Sequence, residues 1–420
     1  MSIQKKSVVT KNSKVKVPLL VPGFRLLRAD AVWVTISNWA DGLEQRYGKA
    51  EVIAGQSSYS VTEIKDKCFS SKSGGKLKSK PSLFRRSFLG KLAETFAKDL
   101  RWYLENRKPI TLDEGQFKGA PFVWQHHDLF QTQGLRLAKK MGVASVLFVD
   151  APYVWESGKW GISRLGWKWF ARRWGDALPC KKADLILAVS DEVKRAVMDL
   201  GVEENKILIT PCTVSTKKFE LADDVEVRLS LGLKDAFVIG WIGSFRKFHS
   251  LDLLIDSFKD ISSTIKNTKL MLVGDGPERL RLQEKVAHLG LQDQVVFTGN
   301  IPHSRVQDYI CSFDIAVLPS YENEGFHYSP LKLREFFAAG VPVIASAVGD
   351  VKRVIQDSGG GWLVMPGKKE DIVEKVRNIN SNRLMLESYS TNAKKYASEE
   401  MGIMKQILMV EDYLASSQRK

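Results

Sequence analysis

From Pro121 onward the chain alternates between short apolar runs and longer stretches with three-to-four spacing of apolar residues. The runs Phe122–Trp124, Ser145–Val149, Leu185–Val189 and Lys206–Thr210 are each separated by helical segments of about a dozen residues or more. After the polar stretch Thr216-Lys217-Lys218-Phe219 the pattern restarts with Phe237–Ile242, Lys269–Val273, Val295–Thr298, Ile315–Leu318, Val341–Ala345 and Trp362–Val364. Continuous apolar strands that alternate with helices predict a parallel sheet covered on both faces. The restart predicts an α/β protein of two doubly wound domains in tandem, and 420 residues suffice for two separate cores.

Upstream of Pro121 the signal is weaker. Residues 1–16 are polar, basic and aperiodic and read as a flexible arm. The run Pro18–Pro22, a helical pattern from Ala31 to Tyr47 and a second run, Ala50–Gly55, predict a strand–helix–strand unit. Ser70 to Pro81 is rich in Gly, Ser and Lys and reads as a surface loop. Leu83 to Leu104 carries Phe84, Phe88, Leu92, Phe96 and Leu100 at helical spacing, predicting a core-facing amphipathic helix; Arg85, Arg86 and Lys91 make membrane contact the alternative. The segment Lys159–Trp174, KWGISRLGWKWFARRW, mixes tryptophan with Arg and Lys, including Lys168, Arg172 and Arg173. It reads as a helix packed on the sheet with a basic rim, or as a membrane interface.

Composition narrows the partners. No run approaches the roughly 18–20 apolar residues of a bilayer crossing, and the N-terminus lacks a secretory apolar core, so a cytoplasmic protein is predicted. Cys68, Cys180, Cys212 and Cys311 are scattered, which argues against a disulfide framework or a zinc site. A net charge of +15 predicts an anionic partner: nucleic acid, an acidic membrane or phosphorylated ligands. No zinc-finger, RNA-recognition or helix-turn-helix signature supports specific nucleic-acid binding.

The candidate chemistry lies where predicted strands of the second half end. The segment VIGWIGSFRKFHS ends a strand at Gly243 and leads into a loop with Ser244, Arg246, Lys247 and His249. Ligands of open parallel sheets bind at the carboxyl ends of strands, where glycine admits close backbone approach and basic side chains neutralise phosphate. Leu270–Glu278 ends a buried strand in a Gly-Asp-Gly-Pro turn, and VVFTGNIPH ends another at the same edge, where Asn300 and Ile301 backbone groups are placed to read a nucleobase. In GFHYSPLKLREFFAAGVPVIAS, Ser329 is a candidate N-cap and Pro330 a candidate first-turn residue, predicting a helix from Leu331 to Ala338. Lys332 and Glu335, three apart, share a face of that helix. An amine for phosphate beside a carboxylate for two ribose hydroxyls, at a positive helix end, makes a nucleotide-diphosphate clamp.

Taken in order, GxxGSFRxxH, LxxVGDGPE, VxFTGxIPH and SPLKLxEFxAxGxPVIAS resemble the C-terminal half of retaining glycosyltransferases of the GT-B fold, in glycosyltransferase family four. The similarity extends back through WQHHDLFQTQGLRLAKKMGV and ADLILAVSDEVKRAVMDLGVEENKILITPCTV, covering about residues 121–375. The resemblance implies two Rossmann-like domains facing across a cleft: residues 17–215 for the acceptor, residues 216–395 for the nucleotide-sugar donor, and residues 396–420 packing back on the first. It implies that Glu335 binds the donor ribose, that Lys332 and Arg246 bind the diphosphate, and that Gly325, Phe326, His327, Tyr328 and Ser329 line the sugar with Leu331, Gly243, Ser244 and Lys247 nearby. His126 or His127 would reach the sugar from the opposing domain. The implied reaction retains anomeric configuration, uses a UDP- or GDP-sugar, and needs neither metal nor cofactor. The acceptor would be a saccharide or a lipid-linked molecule of polysaccharide or glycolipid biosynthesis, met at the inner face of a membrane. Two other readings are a nucleotide-sugar epimerase of the same architecture and a non-catalytic nucleotide-sugar- or nucleic-acid-binding protein.

The chain departs from the family pattern in three places. Eight positions before Glu335 stands His327, with Glu324 three residues further away, where relatives carry a second glutamate. Ser244 and His249 occupy the aligned positions of the usual Arg and Lys, with Arg246 and Lys247 as nearby substitutes. The Pro-Asn-Gly-Val-Asp turn reads Pro211-Cys212-Thr213-Val214-Ser215, and the glycine-rich first loop is reduced to Pro22-Gly23-Phe24.

Overall fold

A computed structural model of the protein describes residues 15–21, 31–64, 87–109, 112–322 and 331–417. Two sheets organise them. The first contains β1 (Val15–Val21), β2 (Gly48–Ala54), β3 (Ser57–Ser60), β4 (Phe122–His126), β5 (Ala144–Val149), β6 (Leu185–Ala188) and β7 (Ile207–Ile209), in the order β3-β2-β1-β4-β5-β6-β7. The second contains β8 (Phe237–Ile242), β9 (Thr268–Val273), β10 (Val295–Gly299), β11 (Ile315–Leu318), β12 (Val343–Ser346) and β13 (Gly361–Val364), in the order β10-β9-β8-β11-β12-β13. All pairings are parallel except β2 with β3.

Each apolar run of the sequence became a strand because helices cover both faces and bury nearly all side chains of the central strands. The edge strand β3 was not foreseen: SSYS is polar and mostly exposed, so it carries no alternation toward a core. Val15 and Lys16, at the end of the predicted basic arm, instead lie in β1 and pair with Gly48 and Lys49 of β2, while residues 1–14 lie outside the described residues. The Ser70–Pro81 loop, Pro22-Gly23-Phe24, Arg85 and Arg86 lie outside the described residues.

The predicted core-facing helix needs a correction. It runs Phe88–Arg107, with Ser87 Oγ accepting from Gly90 N at its start, and its buried residues are Gly90, Asp99, Trp102 and Asn106. Phe88, Phe96 and Leu100, expected to face the core, are exposed. The side turned inward is instead built around Trp102, whose ring packs edge-on to Tyr153 at 4.8 Å.

Sheet order puts a topological switch point in each half, where neighbouring strands send their connections to opposite faces. In the first sheet it lies between β1 and β4; in the second, between β8 and β11. The chain then crosses back: the helix Ile403–Ser417 buries Ile407 and Val410 in the core of the first sheet. Glu411 accepts from Arg46 Nε at 2.8 Å and from Tyr47 Oη at 2.5 Å, fixing that return. Burial works against the Glu411 carboxyl, but these hydrogen bonds hold it below its ordinary value. A depressed carboxyl gives stability that is present above its ordinary value and is lost as pH falls. Glu411→Ala is therefore expected to cost about 1 kcal/mol, as for a partly exposed forked pair. Urea unfolding at neutral pH measures the loss, and it should shrink at acidic pH.

Candidate functional site

The carboxyl ends of the two sheets face each other. A cavity of 320 Å³ is lined by Ser190, Asp191, Glu192 and Arg195 after β6 and by Gly349, Asp350 and Arg353 after β12. Leu331, the first residue of the helix Leu331–Ala339, packs against the core of the first sheet. The N-terminal end of that helix thus points across the gap, and a helix N-terminus favours negative charge.

On the second sheet, the loop after β8 and the helix after β11 flank the switch point. Gly243 follows β8 with φ +147°, and a Cβ there would stand 3.2 Å from Lys332 Nζ. Gly274, at φ +123°, lets the next loop come so close that a Cβ would meet the Gly243 carbonyl oxygen at 2.1 Å. Only glycine fits either place. The Gly-Asp-Gly-Pro segment is therefore a packing joint: Phe245 N donates to Asp275 O at 2.9 Å, and Glu278 N donates to Phe245 O at 3.1 Å.

Lys332 is the centre of this corner. Its ammonium lies 4.3 Å from the Trp241 ring centroid and 3.4 Å from His249 Nδ1. Protein atoms crowd the amine although part of the residue remains accessible, and that desolvation brings its pKa down to about 7, against a smaller upward pull from Glu335. His249, not the substitutes Arg246 and Lys247, is the loop residue that meets Lys332; Arg246, Lys247 and Ser244 are exposed. The aromatic signal for this corner was present in GWIGSFRKFH, where Trp241 and His249 lie 5.3 Å apart, centroid to centroid.

One turn further along, Glu335 Oε1 accepts from Lys218 Nζ at 2.9 Å. Lys218 comes from the short helix Lys217–Glu220 beyond the crossing between the halves, read from sequence only as a polar stretch where the pattern restarts. His303 is the third member: burial, and then the charge of Lys218, hold its imidazole below the ordinary value, and Glu335 opposes them. Asn300 is exposed and Ile301 half-buried on the approach to His303. Lys218 and His303 were missed because their meeting with Glu335 spans 117 and 32 residues of chain, which no local spacing reveals.

Across the gap, His126 ends β4 and His127 follows it, and both are buried. His127 Nε2 lies 3.1 Å from Asp176 Oδ1, and Asp176 also accepts from the amides of Tyr153 and Val154. That cluster ties β4 to a π-helical stretch, Ala171–Ala177, and reads as structural. His126 Nε2 lies 2.9 Å from Asp150 Oδ2, at the carboxyl end of β5, and Asp150 is partly exposed. Of the two pairs, only Asp150 remains accessible, with His126 buried behind it. Gly325, Phe326, His327, Tyr328 and Ser329 lie outside the described residues, as does Glu324.

Comparison with known proteins gives the same architecture. The family profile described as "Glycosyl transferases group 1" matches residues 226–396, and "Glycosyltransferase Family 4" matches residues 75–218. A D-inositol 3-phosphate glycosyltransferase of Geodermatophilus obscurus is 27% identical over 238 residues, covering 54% of this chain and 51% of that protein. An N-acetyl-alpha-D-glucosaminyl L-malate synthase of Bacillus anthracis is 26% identical over 222 residues, covering 52% and 56%. The chain thus spans about half the length of the curated relatives it matches. Among solved structures, Anabaena HepE in complex with UDP-glucose superposes with a TM-score of 0.63 at 16% identity, over 96% of this chain and 99% of that one. WaaG, a glycosyltransferase involved in lipopolysaccharide biosynthesis, superposes at 0.60 and 15% identity, over 93% and 98%.

Proposed function

The chain belongs to the group 1 glycosyl transferases of glycosyltransferase family four, and on that premise we propose that it moves a sugar from a UDP- or GDP-sugar to a saccharide or lipid-linked acceptor, with retention of configuration. One observation carries the reading: an amine and a carboxylate, Lys332 and Glu335, stand on one helix whose N-terminal end faces the other sheet beside a switch point. We assign residues 17–215, with the returning 396–420, to the acceptor and residues 216–395 to the donor.

In this reading the bond from the sugar to the diphosphate breaks with its electron pair on the diphosphate, and the Lys332 ammonium and the N-terminal amides of its helix stabilise the negative charge that develops there. Glu335 accepts the ribose hydroxyls through the oxygen that Lys218 leaves open. The Asp150–His126 pair orients the acceptor against the donor's reacting face. No metal is assigned a part, and the work sits in a polysaccharide or glycolipid pathway at the inner face of a membrane.

The test is incubation of the purified chain with a panel of nucleotide sugars, with and without cell lipid extract, followed by mass spectrometry. Transfer or hydrolysis from one donor supports the proposal. Interconversion of two nucleotide sugars would make the chain an epimerase, and binding without turnover would make it a non-catalytic relative. A milder expectation concerns Lys218: since its pair with Glu335 is half-exposed, Lys218→Met should weaken nucleoside diphosphate binding only about two- to fivefold. Calorimetric titration checks this, with inorganic diphosphate as the control that should not respond.

A further inference from the structure

The helix Phe88–Arg107 turns an apolar stripe outward. Phe96, Leu100 and Leu104, four apart and so on one face, are exposed, as are Phe88 and Leu89. The Trp-rich segment lies against this helix. Trp167 packs edge-on to Phe96 at 5.2 Å, and Phe170 meets Tyr103 at 5.8 Å. Beneath them, buried Asp99 accepts from Arg164 Nε at 2.7 Å and from Trp167 Nε1 at 2.9 Å. The two elements are therefore locked into one rigid surface.

That surface carries further exposed apolar side chains from the second element: Trp160, Leu165 at 69% exposure, Trp169 at 70%, Phe170 and Trp174. Basic groups are interleaved with them. Lys91, Arg101 and Arg107 are exposed on the helix and Lys168, Arg172 and Arg173 on the other element, against exposed Glu94 and Glu105, the latter paired with Lys108. The Arg173 guanidinium lies 5.8 Å from the rings of both Trp169 and Trp174, and that of Arg107 4.9 Å from Tyr103. A contact between proteins concentrates apolar groups in its core and depletes lysine there. Tryptophan beside Lys and Arg, over an outward aliphatic stripe, matches instead the depth profile of a bilayer surface: phosphates outside, aromatic rings at the headgroups, aliphatic groups beneath.

We propose that the joined surface of Phe88–Arg107 and Trp160–Trp174 docks the protein on an anionic lipid bilayer. The docking does not require a nucleotide sugar, so it stands or falls separately from the proposed transfer reaction. It does bear on that reaction, because Trp174 lies two residues before Asp176, which holds His127 at the carboxyl end of β4. The bilayer face and the acceptor side of the gap belong to one rigid piece.

The test is co-sedimentation of the full chain with vesicles of phosphatidylcholine alone or mixed with phosphatidylglycerol, at low and high salt. The parent should bind the anionic vesicles, more weakly at high salt because exposed charges are screened beyond about 8 Å at physiological ionic strength. Leu165→Ser with Trp169→Ser should lower partitioning about tenfold or more, while Leu221→Ser, still more exposed but on the other half, should leave it unchanged. Lys168→Glu with Arg173→Glu should abolish the preference for anionic lipid; Arg172 is left alone because its guanidinium also bonds the Asp199 carbonyl oxygen. Thermal melting of each variant confirms that these surface changes leave the fold intact. A parent that ignores anionic vesicles at low salt, or variants that bind like the parent, would overturn the proposal. So would a concentration-dependent dimer, seen by analytical ultracentrifugation, that the serine variant abolishes without any vesicle binding.

Discussion

Lys332→Met is expected to slow sugar transfer about 10²–10³-fold while leaving the protein at least as stable as the parent. The two effects separate because they use different states of the amine. Beside Trp241 and His249 the Lys332 amine is desolvated, which brings its pKa down to about 7, so its charge costs the folded protein something. Methionine fills similar space without that cost. In the proposed site the same enclosure would make the ammonium a strong partner for an arriving diphosphate. The signs follow. With a folded pKa below the unfolded one, the free chain binds fewer protons folded than unfolded between about 7 and the ordinary lysine range. Its stability from this group therefore rises with pH across that window, and Lys332→Met should flatten the rise. Nucleoside diphosphate affinity should move the other way in the parent, weakening by up to about tenfold per pH unit above 7, with proton uptake on binding. Calorimetry in buffers of different ionisation enthalpy reads the uptake directly. A parent that takes up no proton at pH 8, or a variant with undiminished turnover, would remove Lys332 from the diphosphate.

Glu335→Gln comes next in size, with nucleoside diphosphate affinity falling about 10- to 100-fold in a folded protein. Glutamine keeps the reach but exchanges a carboxylate, which only accepts, for an amide that offers one accepting oxygen and two donors facing Lys218 and the ribose. Well below pH 7, where Lys332 keeps its proton even without the upward pull of Glu335, inorganic diphosphate should bind the variant as it binds the parent, because in the proposed site that ligand meets Lys332 and not the ribose position. Equal affinity of parent and variant for the nucleotide, by titration calorimetry, would mean that the ribose lies elsewhere. Together the two variants dissect the clamp: one should lose diphosphate and nucleotide alike, the other nucleotide alone.

How much of this could be read beforehand depended on how local each feature was. The parallel strands of both sheets were legible, unlike the polar edge strand β3, because fully buried parallel strands need uninterrupted apolar runs, as in Phe237–Ile242 and Ile315–Leu318. The helix bearing Lys332 and Glu335 was legible for the same reason, since a spacing of three fixes their common face. The sequence alone also carried the glycines, because Gly243 and Gly274 answer to backbone positions that no side chain tolerates.

The partners of those residues were decided only by the tertiary structure. His249 meets Lys332 across 83 residues and Lys218 meets Glu335 across 117, distances that sheet order closes and sequence spacing cannot express. The same holds for which histidine counts: His126 and His127 are neighbours in sequence, yet alternation along β4 sends one to Asp150 at the gap and the other to Asp176 in the interior. Periodicity showed that Phe88–Arg107 is amphipathic, but an apolar stripe marks only what avoids water, not what covers it. Packing decided that Trp102 turns inward and that Phe96, Leu100 and Leu104 are left on the outside.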